Sequence, residues 1–138
     1  MENLGFWNLA QGAPNRVALV GPDGLELTNR ELLNRANQLV YGLRAQGLKP
    51  GDTIATVLKN ESAIIELYLA IAQAGFYLVP INHHLVAPEI AYIVSDSNAK
   101  AFVCSDEFAG ECTKAMDSIQ FATARRFTTG SIDGFRSF

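Results

Sequence analysis

The chain has 138 residues, of which 49% are hydrophobic and 18% are charged, and its formal net charge is −3. This length suits one domain, and the composition is apolar enough to fold and too poor in charge for a disordered segment. The negative balance and the single adjacent basic pair, Arg125-Arg126, argue against nucleic acid or an acidic membrane as a partner. No apolar run approaches the roughly 20 residues that span a bilayer. The N-terminus also lacks the basic start and apolar core of a secretory signal.

The cysteine content indicates a reducing compartment. Two cysteines, Cys104 and Cys112, are too few for a disulfide framework. Cys104 closes an apolar strand-like run and Cys112 lies in a helical pattern, so both are predicted to be buried thiols rather than ligands or nucleophiles. We therefore expect a cytoplasmic protein.

The first third of the chain predicts a short helix, a hairpin and a long capped helix. Residues 2–13 have helical spacing, and the turn sequence GPDG at 21–24 separates two strand-like runs, 17–20 and 25–28. Thr28 followed by Glu31 forms a capping-box pattern at the start of the long helix, which is expected to end near Gly47.

The middle of the chain alternates buried strands with helices. The pattern predicts strands at 53–58, 77–81 and 101–104, and helices at 61–74, 88–95 and 105–116. Asn60 or Ser62 is expected to cap the helix at 61–74, and Ser105 the last helix. The helix at 61–74 is apolar nearly all round and is predicted to be internal, and the four tyrosines, Tyr41, Tyr68, Tyr77 and Tyr92, are predicted to pack in the core.

These elements predict an α/β fold, a layered sandwich with a largely parallel sheet plus an N-terminal β-hairpin. The tail, 118–138, differs from the rest. It offers a possible strand at 125–128 and then ends on GSIDGFRSF, with two phenylalanines that we expect to be exposed and without a closing element. The sequence therefore predicts an incomplete domain.

Candidate functional residues follow two of the strands. Ligand sites in open α/β sheets gather beyond the carboxyl ends of strands, and His83-His84 follows the strand at 77–81. The pair is open to three interpretations: a solvated or packing loop, the lining of a substrate channel, or a metal site, although adjacent side chains should point apart. Lys59, Asn60 and Glu61 follow the strand at 53–58, where Glu61 is interpreted as a surface residue stabilised by the helix dipole. Generic nucleotide-binding motifs and Ser/His/Asp triads are absent from the sequence.

Five segments, in order, resemble the opening of an adenylate-forming enzyme, the family of acyl-CoA synthetases, peptide-synthetase adenylation domains and luciferases. They are LTNREL (27–32), LKPGD (48–52), TIATVLKN (53–60), LAIAQAGFYLVPIN (69–82) and APEIAYIVSDSNAKAFV (87–103). The resemblance runs from about Phe6 to Phe108, with a looser likeness through GSIDGF at 130–135. Asn29 is a departure, because the family often has an aromatic residue there.

The resemblance implies an AMP-forming reaction in a larger parent protein. Such enzymes use ATP and Mg²⁺ to convert a carboxylic acid into an acyl-adenylate and pyrophosphate, and then transfer the acyl group to a thiol, usually coenzyme A. The family's phosphate loop, aromatic-acidic motif, ribose-binding aspartate and C-terminal lysine do not occur in this chain. Residues 1–138 are therefore expected to be a partial N-terminal (large) AMP-binding domain without the phosphate loop and the C-terminal lid domain.

The resulting prediction is an N-terminal segment of a bacterial fatty-acid–CoA ligase that is inactive by itself. We expect no catalytic, cofactor-binding or metal-binding residue in it, and only His83 and His84 as candidate substrate-channel residues. ATP, Mg²⁺, coenzyme A and a fatty acid would be partners of the parent, and the segment itself would self-associate through exposed apolar surface.

Two alternatives remain open. A stand-alone, non-enzymatic binding module of the same fold would need a genuine stop after Phe138 and a tail that covers the sheet. A segment of an amino-acid or aryl-acid adenylating enzyme would usually carry aspartate where this chain has Asn82, whereas acyl-CoA ligases commonly have asparagine there.

Overall fold

The computed structural model describes residues 5–138, and in that range helices pack on both faces of a parallel sheet. A separate antiparallel hairpin precedes it, as predicted. The helices are α1 (Phe6–Gly12), α2 (Asn29–Ala45), α3 (Ser62–Ala74), α4 (Ala87–Asp96) and α5 (Ala109–Ser118). The strands are β1 (Val17–Val20), β2 (Glu26–Thr28), β3 (Thr53–Val57), β4 (Tyr77–Pro80), β5 (Ala101–Cys104), β6 (Arg126–Thr128) and β7 (Arg136–Ser137). The predicted start of the first helix falls partly in residues 1–4, outside the described residues.

The five-stranded sheet has the order β4-β3-β5-β6-β7, and every neighbouring pair is parallel. Successive residues of a strand point to opposite faces, so the central strands feed two cores. Ile54 and Val103 pack with α2 and α3, whereas Ala55 and Phe102 pack with α4 and α5. Burial on both faces explains why β5 (AFVC) is a continuous apolar run and why the residues of β3 (TIATV) do not alternate between apolar and charged. It also confirms the predicted layered α/β class.

Local signals position α2 as the sequence predicts. The Glu31 amide donates to Thr28 Oγ1 at 3.3 Å, and the Thr28 amide donates to Glu31 Oε2 at 2.8 Å, which completes the capping box. Thr28 Oγ1 also donates to Glu31 Oε2 at 2.9 Å. The hydrogen bonds that the carboxylate accepts, first from the Thr28 amide and then from its hydroxyl, lower the pKa of Glu31. Leu32, Ala36 and Leu43 lie on the buried side of this amphipathic helix.

The predictions for α3 were wrong in two respects. Its N-cap residue is Glu61, not Asn60 or Ser62, and the Glu61 side chain bonds to other loops rather than to the helix. The helix is also not internal, because Ile65 and Tyr68 are exposed. Its C-terminus agrees with the sequence, since Gly75 has φ +74°, a left-handed conformation that costs glycine little.

The tyrosines are not core residues. The exposed fractions of Tyr41, Tyr68, Tyr77 and Tyr92 are 72%, 58%, 65% and 68%. Tyr41 lies beside the buried stripe of α2 rather than on it, and Tyr77 belongs to β4, an edge strand of the sheet. An aromatic residue at helical or strand spacing therefore did not suffice to predict burial here.

The tail does contribute a closing element, contrary to the prediction. Arg136 and Ser137 pair in parallel with β6, and the Phe138 amide donates to the Thr128 carbonyl at 2.9 Å. Phe135 and Phe138 are half-buried rather than exposed, and each packs against one of the two cores. Two-residue strands have too little sequence pattern to be predicted, because tertiary pairing alone defines them.

The basic pair near the tail is also partly internal. Arg126 is buried, its Nε and Nη2 donate to the Phe121 carbonyl at 3.0 and 2.7 Å, and Nη1 donates to Asp117 Oδ1 at 2.6 Å. This guanidinium ties β6 to the C-terminal end of α5 rather than to an external anion. Between residues 5 and 138, none of the helices combines the length and the apolar content needed to cross a membrane.

Candidate functional site

The candidate site lies at the carboxyl edge of the sheet, which we define as the loops that directly follow β3, β5 and β6. Parallel strands end at the same edge, so residues far apart in sequence meet there. Lys59, Glu61, Ser105, Thr129 and Gly130 all lie in these loops. The sequence pattern already showed a polar residue after each strand, but not that these residues touch.

Glu61 connects all three loops. Its Oε1 accepts a hydrogen bond from Ser105 Oγ at 2.7 Å and another from Thr129 Oγ1 at 2.9 Å. Ser105 Oγ in turn accepts one from the Lys59 amide at 3.1 Å. We call Glu61, Ser105, Thr129 and the Lys59 amide the Glu61 cluster. Glu61 was expected at the surface but is half-buried and bonded across the loops. Ser105 does occupy an N-cap position, that of the 3₁₀ helix Asp106–Phe108 before α5, but its hydroxyl bonds to Glu61 rather than to that helix. The cluster is the site that sequence reasoning missed.

The Glu61 cluster has close-packed and charged surroundings. A β-carbon at Gly130 would overlap the Asp106 carboxylate, so the loop after β6 needs glycine at this point. Lys59 Nζ lies 3.8 Å from Glu107 Oε2 in an exposed ion pair. A cleft of about 380 Å³ adjoins the cluster, and Arg35, Lys59, Glu66 and Phe138 are among its lining residues.

A buried acidic residue, Glu66, holds α2 against α3. Its Oε1 accepts from Arg35 Nη1 at 3.0 Å, and its side chain is only 11% exposed. Because an unpaired buried carboxylate is costly, this ion pair explains how an acidic residue is accommodated in an otherwise apolar helix. The signal in the sequence was a lone charge within α3.

His83 and His84 lie in the turn after β4, and both are exposed. Their ring centroids are 4.1 Å apart, so the expectation that they point apart was wrong: the Leu85 amide donates to the Asn82 carbonyl at 3.1 Å and the chain turns. The His83 ring stacks on Phe108 with centroids 4.8 Å apart and 12° between the planes. The His84 amide donates to Asn82 Oδ1 at 2.9 Å.

His83 borders a second cleft, of about 260 Å³, whose other lining residues include Val57, Leu85, Ile90 and Phe108. His84 is not among the lining residues. The lining combines these apolar side chains with two carboxylates, those of Glu107 and Glu111. Such a surface is able to contact an apolar substrate, but a substrate-channel role for His83 and His84 stays a prediction.

The thiols show the geometry of core residues. Cys104 and Cys112 are unpaired and buried. A hydrogen bond with Cys112, followed by burial, raises the pKa of the Cys104 thiol, which disfavours the nucleophilic thiolate. Among residues 5–138, no three His, Cys, Asp or Glu side chains come together as a metal site.

Comparisons with known proteins give this geometry a family context. The family model described as AMP-binding enzyme matches residues 6–132. Malpibaldin synthetase from Mortierella alpina is 41% identical over 128 residues, which are 93% of this chain and 2% of that protein. Feruloyl-CoA synthase from Amycolatopsis sp. is 37% identical over 110 residues, which are 78% of this chain and 22% of that protein.

Solved structures agree with this assignment. A long-chain-fatty-acid CoA ligase from Rhodopseudomonas palustris superposes with a TM-score of 0.85 at 30% identity, over 96% of this chain and 33% of its own. The N-terminal domain of FACL13 from Mycobacterium tuberculosis superposes with a TM-score of 0.73 at 29% identity, over 88% of this chain and 30% of its own. The chain thus spans a third or less of the length of these relatives, and it belongs to the AMP-binding, adenylate-forming enzyme family.

Proposed function

We propose that the chain is the N-terminal segment of a bacterial fatty-acid–CoA ligase. In this proposal residues 1–138 form part of the large AMP-binding domain, and the phosphate loop and the lid domain lie in chain beyond them. The likeness to the R. palustris long-chain-fatty-acid CoA ligase, at a TM-score of 0.85, is the observation that carries the proposal. The parent activates a fatty acid with ATP as the acyl-adenylate, with loss of pyrophosphate, and transfers the acyl group to coenzyme A. Bound Mg²⁺ would neutralise phosphate charge in such a reaction.

The segment contributes a framework rather than reacting groups. The Glu61 cluster ties the loops after β3, β5 and β6 together at the edge where ligand sites of open α/β sheets lie. Rigid loops at this edge would keep neighbouring substrate-binding elements in a fixed position and orientation relative to one another. Glu61 is therefore a positioning residue in this proposal, and we assign no catalytic residue to the segment.

The cleft beside His83 is the part of the segment that we propose to line the acyl channel. Val57, Leu85, Ile90 and Phe108 supply an apolar surface, and the His83 imidazole stacked on Phe108 also lines the cleft. His84 would lie next to the entrance, in ring contact with His83. We place the reaction in the cytoplasm, because two unpaired thiols in a core suit a reducing compartment.

An amino-acid-activating parent is the second candidate. Sequence matches favour it, and the geometry at Asn82 weakens the argument against it. Malpibaldin synthetase is 41% identical over 93% of the chain, and synthetases such as tyrocidine synthase 2 also match. In addition, Asn82 Oδ1 acts only as an acceptor, for the His84 amide. An aspartate carboxylate would accept the same hydrogen bond, so asparagine at this position is a weak argument for an acyl-CoA ligase.

The test is carboxylate-dependent ATP–pyrophosphate exchange by the product of the complete gene. Fatty acids of several lengths, the common amino acids and aryl acids are compared, and coenzyme A is then added to detect thioester. We expect exchange with fatty acids and an acyl-CoA product. Exchange with amino acids alone would favour the second candidate, and no exchange with any acid would refute both. The isolated chain is expected to be inactive, so exchange by it would refute the framework role.

A further inference from the structure

We propose that Glu107, Gly110 and Glu111 select the acid that enters the cleft beside His83, and that the cleft receives the uncharged apolar tail of this acid. We call it the His83 cleft. The inference rests on the proposed function, because it takes the His83 cleft as part of the acyl channel. It adds which end of the acid the cleft receives and which residues restrict that end.

The His83 cleft has room for one end of a substrate. Its volume is about 260 Å³, below the roughly 300–1,000 Å³ of pockets that enclose a whole drug-sized ligand. Val57 and Ile90 contribute buried side chains to the lining, and Leu85 and Phe108 contribute half-buried ones. Transfer of an alkyl chain from water onto these four side chains is favourable. The lining therefore suits the tail of a fatty acid.

The charges of the His83 cleft disfavour the other end of the acid. Glu107 and Glu111 both line it, and among residues 5–138 no lysine or arginine does. Their cationic partners, Lys59 at 3.8 Å and Lys114 at 3.6 Å, lie outside the lining. A substrate carboxylate inside the cleft would lose water and meet two like charges without a cation to pair with. The carboxylate therefore stays outside while the tail points inward.

Gly110 is the lining residue without a side chain, and local structure does not explain why it is glycine. It is the second residue of α5, where glycine is less favourable than alanine. Its φ is not positive, and a β-carbon built on it would meet no neighbouring atom within 4 Å. Neither backbone conformation nor close packing therefore requires glycine at this position. The space that it leaves belongs to the His83 cleft, so Gly110 keeps the cleft open to a longer tail.

The first experiment compares Gly110→Leu with Gly42→Leu in the product of the complete gene. Gly42 is a matched control, because it is also a helical glycine with open space at its β-carbon position, but it lines a different cleft, between α2 and Phe127. Leucine favours a helix more than glycine does, so neither variant should lose folding. Gly110→Leu should lower the ratio of kcat/KM for dodecanoate to that for butanoate by at least about tenfold. Gly42→Leu should leave this ratio unchanged.

A dicarboxylic acid tests the selection by charge. Dodecanedioate has the length of dodecanoate but a carboxylate at each end, so its kcat/KM should be lower by at least about tenfold. Glu107→Gln removes one like charge and should raise the ratio of dodecanedioate to dodecanoate by about two- to fivefold, a modest change because Glu107 is 61% exposed. Glu111 is left in place, since its Oε2 accepts from the Ala87 amide at 2.6 Å and holds the start of α4.

Nuclear magnetic resonance of the isolated chain tests tail binding without any need for ligase activity. Octanoate should shift the backbone amide signal of Gly110 and leave the signal of Gly42 in place. Octanedioate at the same concentration should shift neither signal, because its second carboxylate is disfavoured. Gly110→Leu should also abolish the shift that octanoate causes at the His83 amide.

Three results would each overturn the inference. They are equal chain-length ratios for Gly110→Leu and Gly42→Leu, equal use of dodecanedioate and dodecanoate by the wild-type product, and an octanoate titration that leaves the Gly110 signal in place. Failure of the proposed function is recognised separately. A Gly110 signal that moves with octanoate, in a chain whose complete product activates only amino acids, would support the tail site and refute the fatty-acid–CoA ligase.

Discussion

Replacing Glu61 with alanine tests whether the Glu61 cluster holds the carboxyl edge together. The substitution removes the acceptor of two hydroxyl donors, at 2.7 Å for Ser105 and 2.9 Å for Thr129. Ser105 is completely buried and Thr129 half-buried, so neither hydroxyl regains full hydration. Hydrogen bonds to a charged group contribute about 1.5–3 kcal/mol each. Because Glu61 is itself partly exposed, we use the lower value and expect the free energy of unfolding to fall by about 3 kcal/mol.

Urea unfolding followed by far-ultraviolet circular dichroism measures this loss. With an m value of about 1–3 kcal/mol/M, the unfolding midpoint should fall by about 1–3 M. Glu61→Gln keeps an oxygen acceptor without the charge, so its cost should be about 1 kcal/mol. Glu107→Ala is the matched control at the same edge. Its carboxylate is 61% exposed and 3.8 Å from Lys59 Nζ, and its removal should cost less than about 0.5 kcal/mol.

A double-mutant cycle separates the hydrogen bond from a general effect of the substitution. Glu61→Ala and Ser105→Ala remove the two partners of one bond, so the double variant should be more stable than additivity predicts by about 1.5 kcal/mol. Strict additivity, or a Glu61→Ala variant within about 0.5 kcal/mol of the wild-type chain, would refute the reasoning. The Glu61–Ser105 contact would then be a geometric coincidence without energetic weight.

Three further predictions concern stability and reactivity. Arg126→Met removes a buried guanidinium that holds α5 to β6, and it should lower the free energy of unfolding by about 3 kcal/mol in urea titrations. Arg125→Met should change that free energy by less than about 0.5 kcal/mol. Equal effects of the two substitutions would contradict a stabilising role of the Arg126 hydrogen bonds. The lowered pKa of Glu31 means that its carboxylate stabilises the chain above the ordinary glutamate pKa of about 4.3, and that this contribution is lost as the pH falls through the lowered value. Glu31→Gln should therefore flatten the acid side of a stability-against-pH curve, and an unchanged curve would argue against the capping box. Cys104 and Cys112 should react with a disulfide reagent only after unfolding, since burial and the raised pKa of Cys104 protect them; rapid labelling of the native chain would contradict this.

The sequence predicted those features that local chemistry determines. The Thr28–Glu31 capping box, the glycine stop at Gly75 and the apolar runs of β3 and β5 each depend on residues within a few positions of one another. Each also agrees with the layered α/β fold as a whole. Agreement between local signals and global architecture is what makes a fold readable from a single sequence.

The candidate site could not be predicted in the same way, because its contacts are long-range. Glu61 meets Ser105 across 44 positions of sequence and Thr129 across 68. A polar residue after a parallel strand is a usable signal, since strand ends meet at one edge. The partners within that edge depend on strand order, however. The sequence predicted a possible strand at 125–128, where β6 lies, but it indicated neither the place of that strand beside β5 nor the two-residue β7. For His83 the sequence identified the candidate residue, by its type and its place after a strand, but not its contact. The stacking of its ring on Phe108 depends on tertiary structure.

The wrong prediction for α3 carries the most information about the protein. Its apolar pattern indicated an internal helix, yet Tyr68 and Ile65 are exposed in this chain. Charged residues lie on the exposed sides of α2, α4 and α5, whereas the exposed sides of α1 and α3 carry none. The apolar pattern describes the composition of α3 correctly, but the burial of a helix depends on which elements pack against it, and α2 and the sheet cover only one side of α3.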